Sequence, residues 1–159
     1  MSRADMKPVH GAAEQAPDDE MSVGLLVARA RTALLTSLDI ELEPFGLTGA
    51  QFAVLKNVAE GPAETAAELC RTLHYDTGSM TRMLDRLEEK AVLRRERCTE
   101  DRRVVFLRMT ATGRALLPSL RAAAVRVLSR HLTGFSAAEV DNLKQYLERM
   151  IENGRPVNT

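Results

Sequence analysis

The chain has 159 residues and a mass of 17.6 kDa, enough for one or two compact domains and too little for a separate catalytic domain beside a binding one. Hydrophobic residues make up 45% of it, the ordinary globular share, which excludes general disorder. Lys plus Arg number 22 and Asp plus Glu number 22, so the summed charge points to no nucleic acid, membrane or acidic substrate, and any charged partner must be met by a local patch.

Two cysteines, Cys70 and Cys98, are too few for a disulfide scaffold and lack metal-ligand spacing. The opening MSRADMKPVHG has no apolar run of the signal-peptide kind. No stretch approaches the roughly 20 apolar residues that cross a bilayer. The expectation is a reducing, cytoplasmic setting, no membrane insertion, and no metal or cofactor.

Residues 1–20 combine Pro8, Gly11, Pro17 and the acidic cluster Asp18, Asp19, Glu20 without apolar periodicity, and read as a flexible arm. From Met21, Val23, Leu26, Val27, Ala30, Leu34, Leu38 and Leu42 recur at helical spacing until Pro44 and Gly46. Thr48 followed by Gln51 has the spacing of a capping box and opens a helix with Phe52, Leu55 and Val58 facing inward, stopped by Gly61 and Pro62. Thr65 and Glu68 repeat the box before Ala66, Leu69, Cys70 and Leu73. Asp76 then caps a helix whose buried stripe is Met80, Met83, Leu84 and Leu87, leaving Thr77, Ser79, Thr81, Arg82 and Arg86 largely outside it.

Ala91, Val92 and Leu93 lead into a charged stretch that returns through Val104, Val105, Phe106, Leu107 and Met109, a β-hairpin with its tip near Glu100 and Asp101. A long helix runs from Thr110 to about Gly134, with Leu116, Leu117, Leu120, Ala124, Val127, Leu128 and Leu132 as its stripe and Pro118 able to bend its early turns. Ser136 and Glu139 box the last helix, whose Val140, Leu143, Leu147 and Met150 are expected to face inward.

The order short helix, turn, second short helix, basic hairpin is that of a winged helix-turn-helix, in which a helix enters the major groove and a projecting hairpin lays guanidinium groups over an adjacent groove and phosphates. Over residues 94–103, five arginines (Arg94, Arg95, Arg97, Arg102, Arg103) meet three acids. That excess suits groove contact, and it also suits a salt-bridged, solvated hairpin.

LTGAQFAVL (47–55), DTGSMTRMLDRLEEKAVLRRE (76–96) and EDRRVVFLRMTATGRALL (100–117) together resemble the MarR family of bacterial winged-helix transcriptional regulators, over about residues 22–153. The resemblance implies that Thr77, Ser79, Thr81, Arg82 and Arg86 face bases or phosphates and that Arg103 enters the minor groove with its guanidinium steadied by the Asp101 carboxylate; the charge of the hairpin adds Arg95, Arg97 and Arg102 as candidate DNA contacts. The resemblance also implies interlocked N- and C-terminal helices in a homodimer, a pseudopalindromic double-stranded DNA operator, and a pocket for a small aromatic effector between the dimer and DNA-binding parts. The apolar faces of the end helices, too large for one small domain to cover, independently point to a symmetric dimer.

The predicted fold is mainly α with a small β-hairpin wing: a flexible arm over 1–20, an N-terminal dimerisation helix over 21–46, a winged helix-turn-helix over 47–109 and C-terminal dimerisation helices over 110–154. The expected function is a DNA-binding repressor of nearby genes, released by a small aromatic or phenolic ligand. The alternative is a winged-helix protein-interaction module that binds no DNA. An enzyme is disfavoured because His10, His74 and His131 are scattered and no phosphate loop, HExxH motif or nucleophile elbow accompanies them. For the effector, Arg29, Arg31, Asp39 and His74 are the polar groups nearest the expected cleft. The urate-responsive branch of the family is expected to carry a tryptophan that this chain lacks, and the peroxide-sensing branch a cysteine near the N-terminus. Cys70 reads as an inert hydrophobe and Cys98 as the more exposed of the two.

Overall fold

Polar residues at the helix starts fix the element boundaries. In the computed structural model, which describes residues 16–61, 64–101 and 103–154, the elements are α1 (Ala16–Leu42), α2 (Gly49–Glu60), α3 (Ala66–Leu73), α4 (Thr77–Glu89), β1 (Leu93–Arg97), β2 (Val105–Met109), α5 (Ala111–His131) and α6 (Ala137–Asn153). All three predicted capping boxes form: Thr48 with Gln51, Thr65 with Glu68, and Ser136 with Glu139, each side chain accepting from the other's backbone amide. Asp76 and Thr110 cap α4 and α5 by accepting from the amides of Ser79 and Gly113. Each cap satisfies a donor that the first helical turn leaves free.

The first helix starts earlier than the sequence suggested. Residues 16–20, read as part of the arm, belong to α1. A proline in a first turn has no amide bond to lose, so Pro17 is compatible with a helix start. The rest of the arm, with His10, lies outside the described residues.

One core unites α2, α3, α4, the hairpin and parts of α1 and α5. Leu42, Val54, Leu55, Leu69, Met80, Leu84, Leu87, Leu93, Leu107 and Leu120 are fully enclosed. Cys70 packs at its margin, and Cys98 on the hairpin is half-buried as well. The strands pair antiparallel with Leu93 opposite Met109 and Arg97 opposite Val105. The Leu107 amide donates to the Glu64 carbonyl at 2.7 Å, tying the outer edge of β2 to the approach to α3.

The start of α5 is welded to the root of β1. Thr110 Oγ1 donates to the Ala91 carbonyl at 2.6 Å and the Thr110 amide donates to the Val92 carbonyl. At Gly113 a Cβ would stand 2.0 Å from the Val92 carbonyl oxygen, which is why this Thr-x-x-Gly sequence needs its glycine. Pro118 sits inside α5, where its missing amide leaves one carbonyl of the preceding turn without a helical partner.

The expected inward stripe of α6 is largely uncovered by the described residues: no residue of α6 is buried, Val140 is half-buried, and Leu143, Leu147 and Met150 are exposed. The first half of α1 is similar, with Val23, Leu26 and Val27 exposed while Leu34 and Leu38 are half-buried and Leu42 is enclosed. Periodicity marked apolar faces correctly but did not say whether the same chain covers them.

Candidate nucleic-acid interface

Helix α4 follows α3 after a turn in which His74 adopts the left-handed conformation, φ 54°. Its inward residues Met80, Leu84 and Leu87 are buried, and that fixes what the opposite face carries. Thr77, Gly78, Thr81, Arg82, Asp85, Arg86 and Glu89 are exposed and Ser79 is half-exposed. The Thr81 hydroxyl donates to the Thr77 carbonyl at 2.8 Å, leaving its oxygen lone pairs outward.

Arg82 is folded over the first turn. Its Nη2 donates to Ser79 Oγ at 3.1 Å, and Nη1 lies above Gly78. Hydrogen bonds from Ser79, with desolvation opposing and the Arg82 charge assisting, hold the Asp76 carboxyl below its ordinary value, so the α4 cap stays ionised. Arg82 covers Gly78 together with the Asp76 carboxylate, and it needs to give up only one exposed hydrogen bond to swing outward.

Arg95 is placed differently. Its backbone amide donates to Glu88 Oε1 at 2.8 Å, and its guanidinium pairs with Glu88 Oε2 and with Asp85 Oδ1, the latter at 2.8 Å. This side chain therefore braces β1 against α4 and neutralises two carboxylates beside the polar face of that helix. Arg97, two residues on and projecting from the same strand face, is exposed; Arg94 projects from the other face and pairs with Glu96.

The wing tip is closed by the Cys98 amide donating to the Val104 carbonyl and the Val104 amide donating to Asp101. Asp101 and Arg103 do meet, but through the backbone: Asp101 Oδ1 accepts from the Arg103 amide at 2.9 Å. The expected carboxylate–guanidinium brace is thus replaced by a turn that fixes where Arg103 leaves the chain. Arg103 is exposed, and Arg102 lies outside the described residues.

The effector candidates separate. Arg29 and Arg31 are exposed on α1, His74 is exposed after α3, and Asp39 accepts from the Gly49 amide at 2.6 Å, holding α1 to the start of α2. A cavity of about 360 Å³ opens instead between α1, α2 and α5, lined by Leu34, Leu38, Phe52, Val127 and Leu128 with Lys56 and Asn57 at its polar side. Lys56 was missed from sequence, although it lies one helical turn beyond Phe52 on the same face. His131 Nε2 lies 2.8 Å from Ser37 Oγ. Among the described residues no cluster of metal-ligating side chains occurs, and no helix is long and apolar enough to cross a membrane.

Comparison with known proteins agrees with this geometry. A model of the MarR family matches residues 45–104, which hold α2, α3, α4, β1 and the wing tip. The solved transcriptional regulator PA3341 is 30% identical with a TM-score of 0.73, the match covering 82% of this chain and 96% of that one. A mutant MarR from E. coli complexed with operator DNA is 28% identical with a TM-score of 0.76, covering 84% and 96%. A MarR transcriptional regulator from Methanosarcina mazei, 22% identical over 84% of this chain and 96% of that one, shares the fold at a TM-score of 0.78. A mainly α-helical winged helix-turn-helix with this sequence pattern belongs to the MarR family of DNA-binding transcriptional regulators.

Proposed function

We propose that the protein is a sequence-specific double-stranded DNA-binding repressor of nearby genes, acting as a homodimer on a pseudopalindromic operator and released by a small aromatic ligand. One observation carries this reading. Every exposed large hydrophobic side chain among the described residues falls on α1, α5, α6 or the turn between the last two, and none falls on α2, α3, α4 or the wing. The face with Thr77, Ser79, Thr81, Arg82 and Arg86 is polar and charged, its arginines interleaved with Asp85 and Glu89, and the wing adds the exposed Arg97 and Arg103. That division suits DNA at one end and a second copy at the other, and it disfavours a protein-interaction module working through α4. Twofold pairing sets two recognition helices on successive turns of the duplex.

The release step is supported by the cavity between α1, α2 and α5. It has an apolar lining suited to an aromatic ring, and Lys56 suits an anionic substituent. Its walls belong both to helices with unpartnered apolar faces and to the DNA-facing unit, so a wedge there alters their relative pose. The test is fluorescence anisotropy on the DNA flanking the gene. Arg103→Ala should weaken binding with the dimer intact, and Arg82→Ala should weaken it and relax base preference. An aromatic acid should lower wild-type affinity and act less on Lys56→Gln. Unchanged binding by both arginine variants at physiological salt would overturn the interface.

A further inference from the structure

Arg82 leaves α4 from its second turn, yet its guanidinium is turned back onto the first. Nη2 donates to Ser79 Oγ at 3.1 Å, and a Cβ placed on Gly78 would meet Nη1 at 3.5 Å and Asp76 Oδ1 at 3.3 Å. Guanidinium and carboxylate therefore both lie against the bare backbone of Gly78, and the Ser79 hydroxyl links them. A hydroxyl that accepts from a guanidinium keeps its own hydrogen to donate. The Ser79 side chain is the largest cause holding the Asp76 carboxyl below its ordinary value, ahead of the Ser79 amide, as a hydroxyl hydrogen directed to that carboxylate does. The acid on the other side of Arg82 does not compete, because Asp85 is engaged by Arg95 at 2.8 Å.

A free arginine on a helix surface samples many rotamers, and ordering it on contact with DNA costs affinity. Here the ordering is already done. A guanidinium has five donors in one plane, and the bond to Ser79 uses one, which leaves a parallel pair free for a further acceptor. Arg82 and Asp76 are exposed, so that pair is open to solvent as it stands. A phosphate is met by a mobile arginine from many orientations, whereas the O6 and N7 edge of guanine needs the fork in one plane.

We propose that Ser79, anchored by Asp76, is a positioning residue for base readout: it holds the Arg82 guanidinium over the first turn of α4 as a fixed fork that selects guanine, and it acts through Arg82 and not by its own contact with DNA. This rests on the DNA-binding reading above and assigns the source of its base preference.

The test uses the full-length protein and Ser79→Ala, in which alanine suits the helix and the backbone amide at position 79 keeps its 2.8 Å bond to Asp76. Without DNA, rotation about the Arg82 Nε–Cζ bond is followed by NMR, the signal being assigned with Arg82→Lys. It should quicken in Ser79→Ala by about twofold or more and return to the wild-type rate in Ser79→Thr. With DNA, anisotropy is measured on the flanking segment that binds most tightly, each guanine being replaced in turn by 7-deazaguanine, which lacks the N7 acceptor. Wild type should lose about fivefold or more at one guanine. Ser79→Ala should bind the unmodified segment about threefold or more weakly, lose its sensitivity at that guanine and keep its affinity for scrambled DNA, with Ser79→Thr restoring both. In an Arg82→Ala background, Ser79→Ala should change nothing further. A wild type that binds flanking and scrambled DNA alike refutes the DNA-binding reading and the base readout with it. Sequence-specific binding by wild type together with an unaltered Arg82 rotation in Ser79→Ala, retained sensitivity to 7-deazaguanine, or an equal loss in the Arg82→Ala background overturns the role of Ser79 alone.

Discussion

Replacing Arg95 by methionine distinguishes an arginine that braces the wing from one that contacts DNA. The side chain is 30% exposed and its partners Glu88 and Asp85 are 32% and 51% exposed. A charge-assisted hydrogen bond contributes about 1.5–3 kcal/mol when well enclosed, and solvent-exposed pairs contribute about 0–1 kcal/mol. With roughly a third of each of the two closest groups in solvent, Arg95→Met should cost about 1 kcal/mol of stability, a fall of about 2–4 °C in melting temperature. Operator affinity should fall about five- to tenfold, because the wing is no longer held at a fixed angle to α4, a loss of about 1–1.4 kcal/mol.

The decisive readout is the slope of log K against log salt, measured by anisotropy. Each phosphate contact contributes about 0.9 to that slope, so an arginine lost from both halves of a dimer as a phosphate ligand reduces it by about 1.8. A brace leaves the slope unchanged. Glu88→Gln should weaken binding in the same direction, and the double variant should lose little more than either single one, since both break one contact set. A slope reduced by about 1.8, together with tighter binding by Glu88→Gln, would refute the reasoning and make Arg95 a direct contact.

Ala91 sits at φ 54° before β1, a conformation that costs a Cβ-bearing residue about 1–2 kcal/mol, partly offset in Ala91→Gly by the freer unfolded chain. Ala91→Gly should therefore stabilise the fold by about 0.5–1 kcal/mol, read by thermal melting, and a lower melting temperature would count against the strain. On the acid side, hydrogen bonds at Ser136 and from Glu64 and Thr65 hold Glu139 and Glu68 below their ordinary values, Ser79 does the same for Asp76, and Arg126 with Arg130 for Glu41. A lowered folded-state value means stability that is present above the unfolded values, 3.8 for Asp76 and 4.5 for the glutamates, and lost as pH falls through the lower folded ones. Helicity monitored by circular dichroism should hold to about pH 5 and melt more easily below it, and Glu68→Gln should flatten part of that dependence; stability that rises on acidification would contradict the caps. Leu147→Glu on α6 should shift sedimentation from dimer toward monomer, and an unaffected dimer would place the interface elsewhere.

Helix caps were legible in the sequence because their cause is local. Thr48 with Gln51, Thr65 with Glu68, and Ser136 with Glu139 each satisfy helix-end donors within four residues of chain, and the hairpin followed from branched residues returning across a charged turn. What escaped has non-local causes. Arg95 looked like the other wing arginines until the packing of β1 brought it to Asp85 and Glu88. Lys56 gained meaning only when α1 and α5 closed a cavity beside it. The start of α1 was missed for another reason, because proline and clustered acids mark loops as readily as first helical turns.

The central claim is that α4 and the wing read a particular duplex. Its most direct test is anisotropy of the full-length protein on labelled DNA flanking its gene against scrambled DNA of equal length, at physiological salt, with an Arg82→Ala/Arg103→Ala variant alongside. The account predicts that one flanking segment binds about a thousandfold or more tighter than scrambled DNA, and that the variant loses most of this difference while remaining folded. Equal affinity for all flanking and scrambled duplexes, or full discrimination by the variant, would contradict it.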